Sequence, residues 1–596
     1  MLKYKYIYTL VILIIINKPL LSYSINDNPK LKSKSITGKV IEADNKEPLI
    51  GVNVLVKNTN LGVATDEKGM FIINNVPLAE FELQISMVGY KSVTLGINDK
   101  TVDDNIVIEL RPAMIEMGSI VVTGTNSVHL YENVPVKTEI ITQKLIQQQG
   151  ACNLAQALGL QTGVLIENDC NNCNFTQVRI LGFDGKYSQV LIDGDPVVSS
   201  LGGVYGLEHY PQEMIEQIEI VKGGGSSLYG GGAVAGTINL MTRRPAFNST
   251  RISYSGSSLD GSFDQQIGAV AEIVSNDNKA GFYIFGSTRN RNSYDRNNDG
   301  FTELGALKNE TIGFNGYLKP FNNSELQLSF HRIFEERRGG GELDKPVHEA
   351  EIAEWTKHFK WGGKAKWIHK ISPVFEYKIN YAFSILERDS YYGGLSEDTP
   401  EARLQALNYY GYSDNPLHTG GIQMNYFLGN HSLTVGIQYD YDKLLDKSVA
   451  NAAYYLDETF NNLGVYLQDE ISFGRHDDIQ FVVGVRFDKH STLENWIISP
   501  RINTKYKLFN AFNLRAGFTT GFKAPQIFDE DLHICGLEGT QRVIRNSAGL
   551  KEERSTSYTL GIEFQDFIGD IPLLFGITGF YTKLTDAYTD EFISSD

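Results

Sequence analysis

The chain has 596 residues, which is too long for one ordinary domain, so we expect two or three domains. Hydrophobic residues make up 42% of the chain and charged residues 21%, which excludes a fully disordered protein. The net charge of -17 argues against nucleic acid as the main partner, because an acidic chain repels phosphate. The 57 Gly, 31 Tyr and 31 Phe favour a β-rich protein with many turns.

The N-terminus has the pattern of a secretory signal peptide. Lys3 and Lys5 precede a short apolar stretch from Ile7 to Ile16, and small residues follow at Ser22 and Ser24. The apolar stretch is too short to span a bilayer, so we expect cleavage after about residue 24 rather than an N-terminal anchor. No later segment is apolar enough for a spanning helix. The mature chain should therefore be exported, either as a soluble protein or as a β-barrel.

Residues 35–112 have the pattern of a small β-sandwich. Apolar and polar residues alternate in Val52–Lys57 and again in Phe81–Met87, and Asp66–Gly69 has the composition of a turn. This pattern predicts an antiparallel sandwich. The stretch "ITGKVIEADNKEPLIGVNVLVKNTNLGVATDEKGMFIINNVP", followed by "ISMVGYKSV", resembles the carboxypeptidase-regulatory-like domain, a transthyretin-like β-sandwich without catalytic function.

The next part of the chain mixes helix and strand. Residues 116–125, "EMGSIVVTGT", contain a short apolar strand-former, and Lys144–Leu160 is the best helical stretch. The strands "TQVRIL", "SQVLID", "IEQIEIVKG" and "AGTINLMT" follow, separated by glycines that mark tight corners. Two of them are almost wholly apolar, which is typical of strands buried on both faces.

After Pro245 the pattern changes to long strands with strict alternation. Leu326–Phe330, Leu433–Asp440 and Phe481–Asp488 each place apolar residues on one face and polar or charged residues on the other. This alternation predicts an antiparallel transmembrane β-barrel with lipid outside and a wet lumen inside. The alternative is a large soluble β-structure that turns its apolar face to a core.

The four cysteines are Cys152, Cys170, Cys173 and Cys535. In an exported protein, pairing is expected. Cys170 and Cys173 have the spacing of half a zinc site, but the chain has no second pair of this kind. We therefore favour a disulfide from Cys152 to Cys170 or Cys173 over a metal site.

Enzyme signatures are absent. Gly230–Ala235 fits a dinucleotide-binding pattern, but a strand follows it where a helix is required. His348-Glu349 begins a zinc-protease pattern, but Ile352 occupies the place of the second histidine. The sequence has no phosphate-binding loop and no GxSxG nucleophile elbow. We therefore expect neither an enzyme nor a bound cofactor.

One loop has part of the pattern of a calcium site. Asp295, Asn297, Asp299 and Glu303 supply hard oxygen ligands at alternate positions, around Gly300. The bidentate acid expected at the twelfth position is missing, because Ala306 stands there. The alternative is a polar surface loop.

Residues 130–245 resemble the plug domain of TonB-dependent outer-membrane receptors. The resemblance is carried by "VRILGFDGKYSQVLIDGDPVVSSLGGVYGLEHYPQEMIEQIEIVKGGGSSLYGGGAVAGTINLMTRRP". Its plug core motif includes Arg179, Asp193, Gly194, Glu219, Lys222, Gly223, Gly230 and Asn239. "LRAGFTTGFKAPQIFDEDL" and "LKEERSTSYTLGIEF" resemble the barrel of the same family. A sandwich domain before the plug resembles receptors of the Bacteroidetes type.

The resemblance implies a mechanism and partners. Within residues 116–125, Ile120, Val121, Val122 and Thr123 resemble the TonB box, a segment that pairs with TonB by strand addition. TonB and the inner-membrane energising complex would then pull on the plug. Charged contacts between plug and barrel are the candidate switch. They include Arg179, Asp193, Glu216, Glu219 and Lys222, with Arg486 and Asp488 facing the lumen.

The resemblance also implies a length and a class of ligand. Such receptors have a 22-stranded barrel that ends in an aromatic strand, whereas only about 350 residues follow the plug here, at 246–596. We therefore expect an incomplete barrel and a fragment of a longer protein. The expected function is uptake of an iron–siderophore or a related metal chelate across the outer membrane. The alternatives are uptake of cobalamin, haem or a glycan, and a non-transporting signalling or adhesion β-protein.

Overall fold

The computed structural model describes most of the chain after residue 32. It covers residues 33–77, 80–98, 106–112, 119–170, 175–196, 201–395, 397–449, 455–474, 478–509, 511–526, 546–547, 549–568, 571–589 and 591. The predicted signal peptide lies outside these residues, as do residues 116–118 of the TonB-box-like segment. Within the described ranges, no helix is both long and apolar enough to cross a membrane.

The N-terminal domain is a sandwich of two small sheets. Its strands are β1 (Ser33–Glu42), β2 (Asn53–Val56), β3 (Gly62–Ala64), β4 (Met70–Pro77), β5 (Phe81–Ser86), β6 (Val93–Ile97) and β7 (Ile106–Leu110). One sheet has the order β4-β1-β7 and the other β3-β2-β5-β6. Val40, Val54 and Leu83 are completely buried between them. The predicted purely antiparallel pairing is wrong at one place, since β1 and β7 run parallel. Alternation reveals which face a residue occupies but not which strand lies beside it.

This sandwich touches the barrel at Lys91, which lies 3.8 Å from Asp566 of the wall, and through the loop at Asn60. The Asn60 backbone N–H donates to the Pro373 carbonyl at 3.1 Å, and its side-chain amide donates to the Ser372 carbonyl at 3.1 Å. Lys370 donates to the Asn60 carbonyl. The loop therefore lies at the end of the barrel where the chain turns at residues 373–374.

The plug is built on a four-stranded sheet of order β10-β14-β15-β13. Its strands are β8 (Ile120–Val121), β9 (His129–Leu130), β10 (Thr138–Thr142), β11 (Val164–Cys170), β12 (Phe175–Ile180), β13 (Ser188–Ile192), β14 (Ile215–Lys222) and β15 (Gly236–Thr242). Its helices are α1 (Gln143–Gln149), α2 (Leu154–Leu158), α3 (Gly202–His209) and α4 (Ser226–Tyr229). Ile218, Ile220 and Ile238 are completely buried in the plug core.

The helix predicted over Lys144–Leu160 is in fact two helices. Gly150 adopts φ 66°, a left-handed conformation that ends α1, and its N–H caps the Ile146 and Gln147 carbonyls. Asn153 then begins α2 by accepting a hydrogen bond from the Gln156 N–H. The apolar periodicity continues through this break, which is why it predicts one helix.

The barrel wall is one antiparallel sheet of 15 strands in chain order. The strands are β16 (Ser249–Leu259), β17 (Ser262–Val274), β18 (Ala280–Arg291), β19 (Ala306–Phe321), β20 (Ser324–Gly340), β21 (Ala353–Ser372), β22 (Phe375–Gly393), β23 (Tyr410–Leu428), β24 (His431–Ser448), β25 (Tyr455–Phe473), β26 (Ile479–His490), β27 (Ile497–Leu508), β28 (Phe512–Lys523), β29 (Glu553–Ile568) and β30 (Ile571–Thr585). Helix α5 (Pro400–Ala406) lies between β22 and β23. Long connections follow β18, β20 and β22, and short turns follow β19, β21 and β23. Short turns at one end and long loops at the other are typical of outer-membrane barrels.

The predicted alternation across the wall is confirmed. On β24, Val435, Ile437 and Tyr439 are exposed on the outside, whereas Thr434 on the opposite face is buried. The outer face is therefore apolar and the inner face polar, as a wall between lipid and plug requires. The described residues form 15 wall strands, fewer than the 22 that the resemblance implies, and β16 and β30 each pair with one neighbour among them.

Candidate functional site

The TonB-box-like segment is folded into the plug. Its strand β8 pairs antiparallel with β9, so that Val121 lies opposite His129. The Val121 side chain is completely buried against Val134 and Ile140. One edge of this strand is therefore occupied by the chain itself, and a partner strand could not use that edge until β9 moves away.

Glu219 on β14 holds the end of this segment. One of its carboxylate oxygens accepts hydrogen bonds from the Val122 N–H at 3.0 Å, the Thr123 N–H at 2.7 Å and the Thr123 hydroxyl at 2.5 Å. The other oxygen accepts from the Gln217 amide at 2.6 Å. Burial raises the pKa of Glu219, although the bonds from Thr123 and Val122 oppose the rise.

Thr123 is held from other directions as well. The Tyr229 hydroxyl donates to the Thr123 carbonyl at 2.9 Å, and the Asn239 amide donates to the Thr123 hydroxyl at 2.8 Å. All four residues are nearly or completely buried. We call Thr123 with Glu219, Tyr229 and Asn239 the latch. The latch connects the TonB-box-like segment to the plug sheet through the backbone N–H, the carbonyl and the hydroxyl of Thr123.

Two of the predicted plug core residues, Glu219 and Asn239, thus meet at the predicted TonB box. The role of Tyr229 was not predicted. Its sequence signal is the tyrosine that ends "GGGSSLYG", which belongs to the same motif.

Beyond the latch, the chain crosses to the barrel wall. Arg501 on β27 donates to the Gly124 carbonyl at 3.0 Å, and Gln468 on β25 donates to the Thr125 carbonyl at 2.8 Å. Glu470 on β25 lies 2.6 Å from His129 Nε2 and also accepts from the Ser127 hydroxyl. The segment is therefore held by the plug on one side and by the wall on the other.

Asp193 makes the plug–barrel contact that the sequence predicts. Its carboxylate accepts from Lys364 on β21 at 2.7 Å, and from the N–H and the hydroxyl of Thr242, each at 2.8 Å. Burial alone would raise the pKa of Asp193, but the Lys364 ammonium and the Thr242 bonds lower it. Gly194, the next residue, donates its N–H to Asn239, which joins this contact to the latch.

Arg486 makes a second predicted contact between barrel and plug. It pairs with Asp488 at 2.9 Å and donates to the Leu228 carbonyl of the plug at 2.9 Å. Gly230 allows this approach, because a Cβ there would lie 3.0 Å from the guanidinium. Its φ of 79° is also a conformation that favours glycine.

Three other predicted switch residues find partners inside the plug. Arg179 pairs with Glu167 and Asp184, and Lys222 pairs with Glu139 at 2.7 Å. The third, Glu216, lies 4.0 Å from Arg243, also in the plug. These ion pairs join neighbouring plug strands and loops, and a plug–barrel contact of these three residues stays a prediction. Gly223 forms a corner with φ 92° at the end of β14.

Cys152 is a free, buried thiol in the structure rather than half of a disulfide. Its Sγ lies 3.8 Å from the Gly150 carbonyl, and its own carbonyl accepts from Gln266 on the barrel wall. Cys173 and the side chain of Cys170 lie outside the described residues. The pairing therefore stays a prediction for the oxidised protein.

The predicted calcium loop is closed by its own backbone. Asp295 accepts from the Asn298 N–H at 2.7 Å and the Gly300 N–H at 2.9 Å. Glu303 accepts from the Arg296 N–H at 2.5 Å, while Asn297 and Asp299 bond each other. These bonds account for the Asp- and Asn-rich composition as a turn, and calcium here stays a prediction.

The chain matches three family models. Residues 36–122 match the CarboxypepD_reg-like domain, 131–237 the TonB-dependent receptor plug domain and 224–595 the TonB dependent receptor-like beta-barrel. The last match alone covers more than half of the chain.

Individual proteins are similar as well. The vitamin B12 transporter BtuB of Vibrio vulnificus is 25% identical over 474 residues, covering 76% of this chain and 69% of that one. The ferric enterobactin receptor PirA of Pseudomonas aeruginosa is 22% identical over 536 residues, covering 77% and 69%. Among solved structures, the Pseudomonas aeruginosa ferric enterobactin receptor PfeA has a TM-score of 0.60 at 17% identity, covering 75% of this chain and 71% of that one. The fold, the plug motif and these matches together show that the chain belongs to the TonB-dependent receptors, which are outer-membrane transport proteins and not enzymes.

Proposed function

We propose that this protein imports an anionic iron–siderophore or a related metal chelate, and that TonB drives the import by pulling on residues 120–123. The observation that carries the coupling part is the latch. Strand β8 is paired, and Thr123 next to it is hydrogen-bonded to the plug sheet. A force applied to residues 120–123 would therefore be transmitted directly to the plug.

The lumen wall supports an anionic ligand. Arg289, Arg291, Arg337 and Arg388 all face inward near the end that carries the long connections. Most of these guanidiniums are paired with carboxylates such as Asp264. Arg291 lies at the end of β18 and donates to the Gly305 carbonyl; among the described residues it has no carboxylate partner within ion-pair distance. These guanidiniums are buried, and their combined positive charge at this end of the lumen would attract a negatively charged chelate.

Relatives support the same class of ligand. Ferric enterobactin receptors recur among the similar proteins and the similar folds. The BtuB relative favours cobalamin as the second candidate, since at 25% identity it is more similar in sequence than those receptors. Cobalamin would make less use of an arginine-rich wall.

Uptake of labelled ligands would test the proposal. Cells that lack their own receptors would express the full-length protein and receive radiolabelled iron on a panel of siderophores, or labelled cobalamin. We expect TonB-dependent iron uptake from at least one anionic siderophore and none of cobalamin. Matched cells without TonB should bind the chelate at the surface but not accumulate it. Cobalamin uptake without iron uptake would replace the proposal by the second candidate.

A further inference from the structure

Three side chains of metal-ligand type meet between the plug and the barrel wall. They are His209 at the end of α3, Glu335 on β20 and His358 on β21. Their nitrogen and oxygen atoms all lie within 4.8 Å of one another. Among the described residues this is the one such group of three. We call it the interface triad.

The interface triad is completely enclosed. His209 and Glu335 are 0% exposed and His358 is 1% exposed. Neither ring nitrogen of His209 makes a hydrogen bond, and Nε2 only approaches the Glu335 carboxylate at 3.4 Å. A buried polar group without a partner is unfavourable, because it has lost its hydrogen bonds to water and forms none within the protein. A ligand bound to a nitrogen of His209 would remove this cost.

The ligand types select a class of cation. Imidazole nitrogens suit zinc, copper, nickel and ferrous iron, whereas calcium and magnesium prefer sets made of oxygen alone. The rings of His209 and His358 lie 5.2 Å apart between centroids, at an interplanar angle of 61°. Two imidazoles and one carboxylate would leave a position for water, as in three-ligand zinc sites.

Two neighbouring side chains orient the Glu335 carboxylate, and one of them partly neutralises its charge. The Asn309 amide donates to Glu335 Oε2 at 3.0 Å, while Oε1 faces His209 and also accepts from Arg337 at 2.7 Å. Such a bond from a neighbouring residue is typical of metal ligands. Arg337 lies 2.7 Å from Glu335 and also 2.7 Å from Glu208. Glu208 also lies 3.9 Å from Arg289, so each of the two carboxylates has an arginine partner.

We propose that the interface triad binds one first-row transition-metal dication, such as Zn²⁺, and that this ion pins the plug to the barrel wall. One ligand comes from the plug and two come from adjacent wall strands. A bound ion must therefore lose a ligand before α3 can move away from the wall. This site shares no residue with the TonB-box-like segment.

Titration of the full-length, tag-free protein with Co²⁺ would test the proposal. The protein is first stripped with EDTA, and the visible d–d bands of bound cobalt are followed, with Zn²⁺ then added as competitor. We expect one equivalent of Co²⁺ with the bands of a low-coordinate nitrogen and oxygen site, displaced by Zn²⁺. His209→Ala and His358→Ala should each weaken binding at least about tenfold, since losing even a neighbour of a metal ligand costs that much.

His490→Ala is the matched control. His490 is also buried on a barrel strand, but it bonds Thr492 and lies outside the interface triad. It should leave cobalt binding unchanged. Hydrogen exchange of the wild-type protein adds a readout that needs no variant, because Zn²⁺ should slow exchange in α3 and EDTA should restore it. Absence of d–d bands in the wild type, or a retained equivalent in the double variant His209→Ala/His358→Ala, would overturn the proposal.

Discussion

The Glu219 carboxylate lies 2.7 Å from the backbone N–H of Thr123 and 2.5 Å from its hydroxyl, although 96 residues separate the two in the chain. A single acid therefore holds both the main chain and the side chain of Thr123 in the TonB-box-like segment. Because both residues are buried, these bonds are shielded from competing water. The TonB-box-like segment is thus an integral part of the plug.

Replacing Glu219 should release this segment. Glu219→Ala removes the acceptor of three hydrogen bonds from Val122 and Thr123, and we expect a local destabilisation of about 2–4 kcal/mol. Amide hydrogen exchange at Val122 and Thr123 measures it directly. Glu219→Gln is the control, because its remaining oxygen can still accept from Thr123, and its effect should be clearly smaller. Equal protection in Glu219→Ala and the wild type would contradict the latch.

The latch should also respond to pH. Burial raises the pKa of Glu219 above its ordinary value of 4.5, so the latched state holds the proton more tightly than a solvated Glu219 does. The stabilisation of the latched state by this proton is complete below pH 4.5, and it is lost as the pH rises through the raised pKa of Glu219. Protection of the Val122 and Thr123 amides, corrected for intrinsic exchange, should therefore fall from mildly acidic to neutral pH. Glu219→Gln should show no such fall, and protection that increases with pH would reverse the sign assigned here.

Parts of this arrangement can be predicted from the sequence and parts cannot. The outward positions Val435 and Ile437 follow from period-two alternation alone, since a strand repeats every two residues. The hydrogen-bond partners of the TonB-box-like segment cannot be predicted from such a pattern. Arg501 donates to the Gly124 carbonyl although 377 residues separate the two in the chain. The sequence around either residue does not indicate that they are in contact. The charge of Arg179 is likewise evident in the sequence, but its pairing with Glu167 depends on the register of β11 against β12.

A proline in β8 should uncouple energy from binding. Val121 lies in the strand that pairs with β9, and Val121→Pro removes a backbone donor from any strand formed there. We expect surface binding of the ligand to persist and TonB-dependent uptake to be lost. Val128→Pro is the matched control, because Val128 is exposed and lies outside both strands. Unchanged uptake in Val121→Pro would show that TonB engages the chain elsewhere.

The two faces of the wall should tolerate charge very differently. Ile437 is exposed on the apolar outer face, whereas the adjacent Gln438 faces the lumen and donates to Asp440 at 2.8 Å. Ile437→Arg should cost about 2–4 kcal/mol, because it places an unpaired cation in the hydrocarbon region near the middle of the membrane. Gln438→Arg should cost far less, since Asp440 can pair with the new guanidinium inside the lumen. Urea unfolding in lipid vesicles, run on both variants and the wild type, measures the difference. Equal costs would mean that β24 does not face lipid on its Ile437 side.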